Sequence, residues 1–180
     1  LPWPAEAGVP SMQRVAVEAV IDAPAFPGRA LRVMTAHLEY FSAVQRTAQC
    51  AALRAIADEG WRHARLPASS GELDPPFAVL PRGDGCVLCG DFNNPVGAPE
   101  QAALLAPGDA PAFVNAWSVA HPAVPPAPTF GVHERRYVTE PSCYDVCFVS
   151  ENLVGNVVDV VVDAATTASD HQPVLLELNG

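Results

Sequence analysis

The longest apolar runs of this chain, around residues 157–162 and 174–178, are rich in Val and Leu and far shorter than the ~18 apolar residues that a membrane span needs. They read as buried strands, and a chain whose apolar residues come in such pieces folds in layers around sheets. Other segments fit the same frame. Residues 12–21 alternate, with Val15, Val17, Ala19 and Ile21 on one face and Arg14 and Glu18 on the other. After a turn marked by Pro24, Pro27 and Gly28, a second strand is expected over 31–38, and the two form a hairpin behind a lead-in containing Pro2, Pro4 and Pro10. Further buried strands are predicted at 86–89 and 144–149.

Ser42 followed by Gln45 has the spacing of a capping box. Val44, Ala48, Ala52 and Ile56 then recur at helical spacing, and Gly60 is the expected stop. Residues 66–85, rich in Pro, Gly and Ser, read as a mobile connection. A short helix is expected around 100–105, followed by a Pro-dense segment over 121–128.

A chain of 180 residues suits one domain with a sizeable core. Its net charge is −10, and all ten basic residues are Arg. Binding along a duplex needs clustered cations. The nearest clusters, Arg62 with Arg65 and Arg135 with Arg136, read as solvated faces. Of the five Cys, Cys86 and Cys89 have the spacing of a zinc or redox pair, but residues three apart on a strand point to opposite faces. They are read as structural thiols in a reducing compartment. No signal peptide is visible, so a cytoplasmic location is expected, although the chain begins at Leu1 rather than Met.

Polar residues at the ends of apolar strands line clefts in layered α/β proteins. Three such places stand out: His37, Asp91 with Asn93, and Asp170 with His171. Carboxylates are hard oxygen ligands suited to Mg²⁺ or Mn²⁺, and a nearby His moves protons or offsets developing charge. Gly90 suggests a tight turn delivering Asp91. Ser169, Asp170 and His171 are adjacent and so cannot form a Ser-His-Asp relay, and the chain has no Gly-x-Ser-x-Gly elbow.

The order Thr35-Ala36-His37-Leu38-Glu39, Arg46-x-x-Gln49, Gly90-Asp91-Phe92-Asn93, Tyr144-Asp145 and Ser169-Asp170-His171 resembles the endonuclease/exonuclease/phosphatase superfamily. That group includes deoxyribonuclease I-like nucleases, abasic-site endonucleases, sphingomyelinases and inositol-polyphosphate 5-phosphatases. The resemblance runs over nearly the whole chain from about Val15. It implies a deoxyribonuclease I-like fold: α/β (α+β), a layered β-sandwich flanked by helices. It also implies a divalent-metal-dependent hydrolase of phosphate esters, whether small molecules or nucleic acid. Carried over by position, Asp91 positions or deprotonates the attacking water, and Asn93 orients that water or the phosphate. Asp170 is a ligand of Mg²⁺ (or Mn²⁺). His171 contacts the scissile phosphate with its ring oriented by Asp145. His37 stands where part of the family has a second catalytic His and the abasic endonucleases have Tyr. Arg46 and Gln49 are read as fixing their helix, and Asn115 stands where the family often has Asp.

The family also has an Asn on its first strand and a metal-binding Glu after its second, both upstream of the His37 strand. Glu6 and Glu18 lack that setting and are not substitutes. The expectation is therefore a single domain over 1–180 that lacks part of its N-terminal half, with impaired activity and a sheet face open to self-association. The alternative is a non-catalytic binding module that keeps the fold without the metal-binding Glu.

Overall fold

The computed structural model describes residues 1–23, 26, 30–66 and 82–180. Seven strands and three short or long α-helices are found among them: β1 Ala16–Asp22, β2 Ala30–His37, α1 Ala43–Ala64, β3 Gly85–Asp91, α2 Ala102–Leu105, β4 Phe113–Asn115, α3 Ala116–Ala120, β5 Asp145–Ser150, β6 Val157–Val162 and β7 Val174–Leu178. A 3-10 turn at Pro99–Gln101 leads into α2, and another at Glu151–Asn156 joins β5 to β6. Pro24, Pro27 and Gly28, and most of the connection expected at 66–85, lie outside the described residues.

β1 to β5 form one mixed sheet in the order β1-β2-β3-β5-β4, and β6 and β7 pair as a separate two-stranded sheet. β1 and β2 are antiparallel, as the hairpin reading requires, while β2 and β3 run parallel. A parallel pair needs a crossover, and α1 lies in that connection. Because side chains alternate along a strand, the main sheet has two distinct faces. Met34, Cys86, Leu88, Val146 and Phe148 pack with Cys50, Leu53 and Ala57 of α1. Leu31, Val87, Cys147 and Val149 pack with Val160 and, beside it, Val174 and Leu176 of the small sheet. Cys86 and Cys89 thus fall into different clusters, on opposite faces of β3.

Several expectations need correction. The apolar face of the first strand is not the buried one: Val15, Val17 and Ile21 are 70%, 58% and 43% exposed. Glu18 points to the α1 side instead, paired at 2.9 Å with Arg32, whose guanidinium also donates to the carbonyls of Ile56 and Ala57. Buried Arg is tolerated there because its donors are matched. It lies against Gly60, where a Cβ would collide with it, so Gly60 serves close approach rather than helix termination and α1 continues to Ala64.

The buried stripe of α1 is also one residue out of phase with the apolar periodicity. Gln45, Gln49, Leu53 and Ala57 are buried, whereas Val44 is exposed. The lead-in lies across the helix start and explains this. Gln45 Nε2 donates to the Pro4 carbonyl and Gln49 Nε2 to the Pro2 carbonyl, while Gln49 Oε1 accepts from Glu39 N. Ser42 caps the helix, accepting from Gln45 N at 3.0 Å, but the Gln45 side chain does not return to Ser42, so only half of the capping box forms. Finally, 157–162 and 174–178 are not buried throughout: Val158, Val161 and Leu175 face outward.

Candidate functional site

His37 ends β2, Asp91 ends β3 and Asp145 opens β5. The register sets them in one row across three neighbouring strands, His37 opposite Asp91 and Asp91 opposite Asp145. Alternation puts Asp91 on the face of Val87 and Cys89, away from α1. Gly90 is not a turn but part of β3. Its φ of 148° and the Ala36 carbonyl, which a Cβ would strike, show that the β2 backbone passes too close for a side chain.

Asn93 adopts a left-handed φ of 50° just after the strand. Its backbone N–H donates to Asp91 Oδ1 at 2.8 Å, and its Nδ2 donates to the Leu38 carbonyl at 2.8 Å. The Asp-Phe-Asn turn therefore holds the Asp91 carboxylate and ties it to the end of β2. Asp91 Oδ2 then lies 3.4 Å from His37 Nε2 and 3.8 Å from His171 Nε2.

His171 arrives from the loop before β7. Its Nδ1 lies 2.7 Å from Asp145 Oδ2, so the proton belongs on Nδ1 and Nε2 is left facing the cleft. The segment Thr129-Phe130 fastens both partners. Thr129 Oγ1 accepts from the backbone of Tyr144 and Asp145 at 3.0 and 2.9 Å, and its carbonyl accepts from Gln172 N. The Phe130 ring lies 4.6 Å from the His171 ring, centroid to centroid. These two residues had no motif to mark them, because they follow the Pro-dense segment and act only through contacts distant in sequence.

Charge follows geometry. Burial pushes the Asp91 carboxyl above its ordinary range and the nearby Asp145 charge adds to this, opposed by the Asn93 N–H and the two imidazoles. For His171, burial alone would lower the pKa. The hydrogen bond and charge of Asp145, with Asp91 and Asp170, outweigh it and leave the ring more basic than usual.

Asp91, Asp145 and His171 can each bring one ligand atom within 4.8 Å of the others, the one such group among the described residues. Two carboxylates and an imidazole suit a divalent cation. Asp170, expected as the metal ligand, is not in that group. It lines the same cleft of about 730 Å³ as His37, Asp91, Asn93 and His171. Glu6 and Glu18 are both engaged away from the cleft, with Ser42 and Arg32 respectively. Arg46 pairs with Glu100 and donates to the carbonyls of Glu39 and Tyr40, and with Gln49 it stays out of the cleft. Asn115 caps α3 by accepting from Trp117 N. The cleft wall also includes Arg14, Tyr40, Phe41 and Tyr137, none of which the motifs pointed to.

No protein-family model matches the sequence, and no curated protein matches it. Solved structures do. An endonuclease/exonuclease/phosphatase from Bacteroides vulgatus superposes with a TM-score of 0.66 at 17% identity, covering 92% of this chain and 55% of that one. A mannosyl-6-phosphatase of Bacteroides thetaiotaomicron gives 0.62 at 18% identity, over 93% and 57%. The catalytic domain of human Nocturnin, with bound sulfate, gives 0.59 at 15% identity, over 92% and 53%. The chain thus spans a little over half the length of each of these structures. At such identities the likeness is one of fold, and it agrees with the motif order: the chain has the deoxyribonuclease I-like fold of the endonuclease/exonuclease/phosphatase structures.

Proposed function

We propose that this chain carries the catalytic row of a divalent-metal-dependent phosphoesterase, one that hydrolyses a phosphodiester or phosphomonoester by in-line attack of water. The observation that carries the reading is the convergence of His37, Asp91 and His171 on one cleft, with Asp145 behind His171 at 2.7 Å. Asp91 takes the proton of the attacking water. Its raised pKa brings it closer to the range in which a carboxylate works as a general base. Asn93, fixed by two hydrogen bonds, orients the water or the phosphate. His171 presents Nε2 to the scissile phosphate, and its raised pKa favours the protonated form that offsets charge on oxygen. His37, 58% exposed at the rim, supplies a second imidazole.

A hard divalent cation, Mg²⁺ or Mn²⁺, would be held by carboxylates of the cleft, Asp170 and Asp91, although only Asp91 of the two belongs to the group whose ligand atoms lie within 4.8 Å of one another. Bound there, the ion would polarise a phosphoryl oxygen. Asp145 is assigned to His171 instead, because a cation placed between them would break their hydrogen bond.

One observation favours a second reading, a non-catalytic binding module. With Glu6 and Glu18 engaged elsewhere, the cleft offers few carboxylates for a metal. Hydrolysis of bis-p-nitrophenyl phosphate with Mn²⁺, compared between wild type and His171→Ala, tests the catalytic reading. Equal rates would refute the role of that imidazole. Calorimetric titration with Mn²⁺ of wild type and Asp170→Asn tests the metal assignment.

A further inference from the structure

Three observations on the cleft wall concern what lies beyond the phosphate. First, aromatic rings stand at the wall in contact with water: Tyr40, Phe41 and Tyr137 are 40%, 59% and 59% exposed, yet all line the same cleft as His37 and His171. Large apolar side chains grouped in the open at a cleft mark a binding surface.

Second, two of these rings are held in place. The buried Glu39 carboxylate accepts the backbone N–H of both Tyr40 and Phe41, at 2.9 and 3.2 Å, and also that of Met12. Arg46 donates to the Tyr40 carbonyl at 2.7 Å. Glu39 remains ionised despite its burial, because those N–H donors and Arg14 hold its pKa below the ordinary range. The Tyr40 and Phe41 rings meet edge to face, centroids 4.7 Å apart. Rings presented on a loop so tied lose little freedom when a ligand arrives.

Third, charge limits the ligand. Arg14 is the one Arg on the cleft wall among the described residues, and its Nε, without a hydrogen-bond acceptor, lies 3.7 Å from the Glu39 carboxylate. One guanidinium and two imidazoles can meet one phosphate. They cannot follow a polyphosphate or a nucleic-acid backbone, where each phosphate asks for its own cation.

We propose that the cleft takes a phosphate ester bearing a single phosphate and one flat aromatic ring, the phosphate lying between Arg14, His37 and His171 and the ring stacking on Phe41 and Tyr137. The ring is that of a nucleobase or of an aryl alcohol, which share a π-face. A polyol phosphate has no π-face and so gains less from the rings. This rests on the phosphoesterase reading and narrows it.

The test is binding by the full chain in the presence of Mn²⁺, measured calorimetrically for inorganic phosphate, glycerol phosphate, phenyl phosphate and adenosine monophosphate. The two ring-bearing esters should bind on the order of tenfold tighter than glycerol phosphate, the scale of one stacking contact. The tighter of the two identifies the source of the ring. Phe41→Ala and Tyr137→Ala should each remove most of that margin while lowering affinity for inorganic phosphate far less. If inorganic phosphate binds but the ring adds nothing, or if either variant loses phosphate and aryl ester alike, the stacking role is overturned and the phosphoesterase reading stands. If nothing binds, inorganic phosphate included, both fall.

Discussion

On the face of the main sheet that α1 covers, Met34, Leu88 and Phe148 are at most 1% exposed. On the opposite face, Val87, Cys147 and Val149 are buried under the β6–β7 sheet, but Val17 and Ile21 on β1 lie open. The first face is a finished core. The second is finished only over β3 and β5, and the row His37-Asp91-Asp145 lies at the end of the strands of that face. The placement has a physical logic. In the proposed function Asp91 is buried enough for its pKa to rise, yet reachable by water and substrate, a combination that the incompletely covered face offers. The same comparison says where substitutions should harm stability and where they should harm chemistry.

The largest effect is expected at the row. His171→Ala and Asp91→Asn should each lower phosphodiester turnover by about 10²–10⁴-fold, with little change in the urea midpoint. A rate within tenfold of wild type for both would detach this face from catalysis. On the closed face the expectation reverses. Phe148→Ala removes a ring that is 1% exposed and meets Phe92 at 5.3 Å, and should destabilise the fold by about 3–5 kcal/mol. Val17→Ala, on the open part of β1, should change stability by less than about 0.5 kcal/mol. Comparable losses for the two in urea denaturation would mean that β1 is covered in solution.

Such covering is the third expectation. An exposed strip of Val17 and Ile21 on the edge strand β1, with Val15 just before it, favours association between copies. Sedimentation should show concentration-dependent oligomers that Val17→Glu shifts toward monomer; a wild type that stays monomeric at high concentration would remove the open face as a contact.

The smallest effect is a titration. His171 should titrate above the ordinary His value in the nuclear magnetic resonance signals of its ring, and Asp145→Asn should bring it back down. Since the folded value is raised, the stabilisation from the Asp145–His171 pair is complete below the unfolded His pKa. It is lost as pH rises through the folded value. A ring that titrates unchanged in Asp145→Asn would show that the 2.7 Å contact does not govern His171.

How much of this was legible in the sequence depends on the range of the interaction responsible. The strand at 157–162 matches β6, and that at 174–178 matches β7, because strand formation follows from short β-branched and Leu-rich runs. Burial did not follow, since Leu175 and Val161 are apolar whether or not a neighbour covers them. In α1 the existence of the helix was readable and its orientation was not. The lead-in carbonyls of Pro2 and Pro4 draw Gln49 and Gln45 inward, a contact across more than forty residues that no local period can show.

The site divides in the same way. His37, Asp91 with Asn93, and Asp170 with His171 stood out at the ends of apolar runs, whereas Asp145 and the role expected of each residue came with the resemblance in motif order. What the tertiary structure alone decided is their mutual placement. Register brought Asp91 between His37 and Asp145, Thr129 and Phe130 fastened His171 to Asp145, and the Glu39 loop placed Tyr40 and Phe41 on the wall. Residue types are written in sequence; distances of 3 to 4 Å between them come from hydrogen bonds and packing that close only when strands far apart in the chain pair.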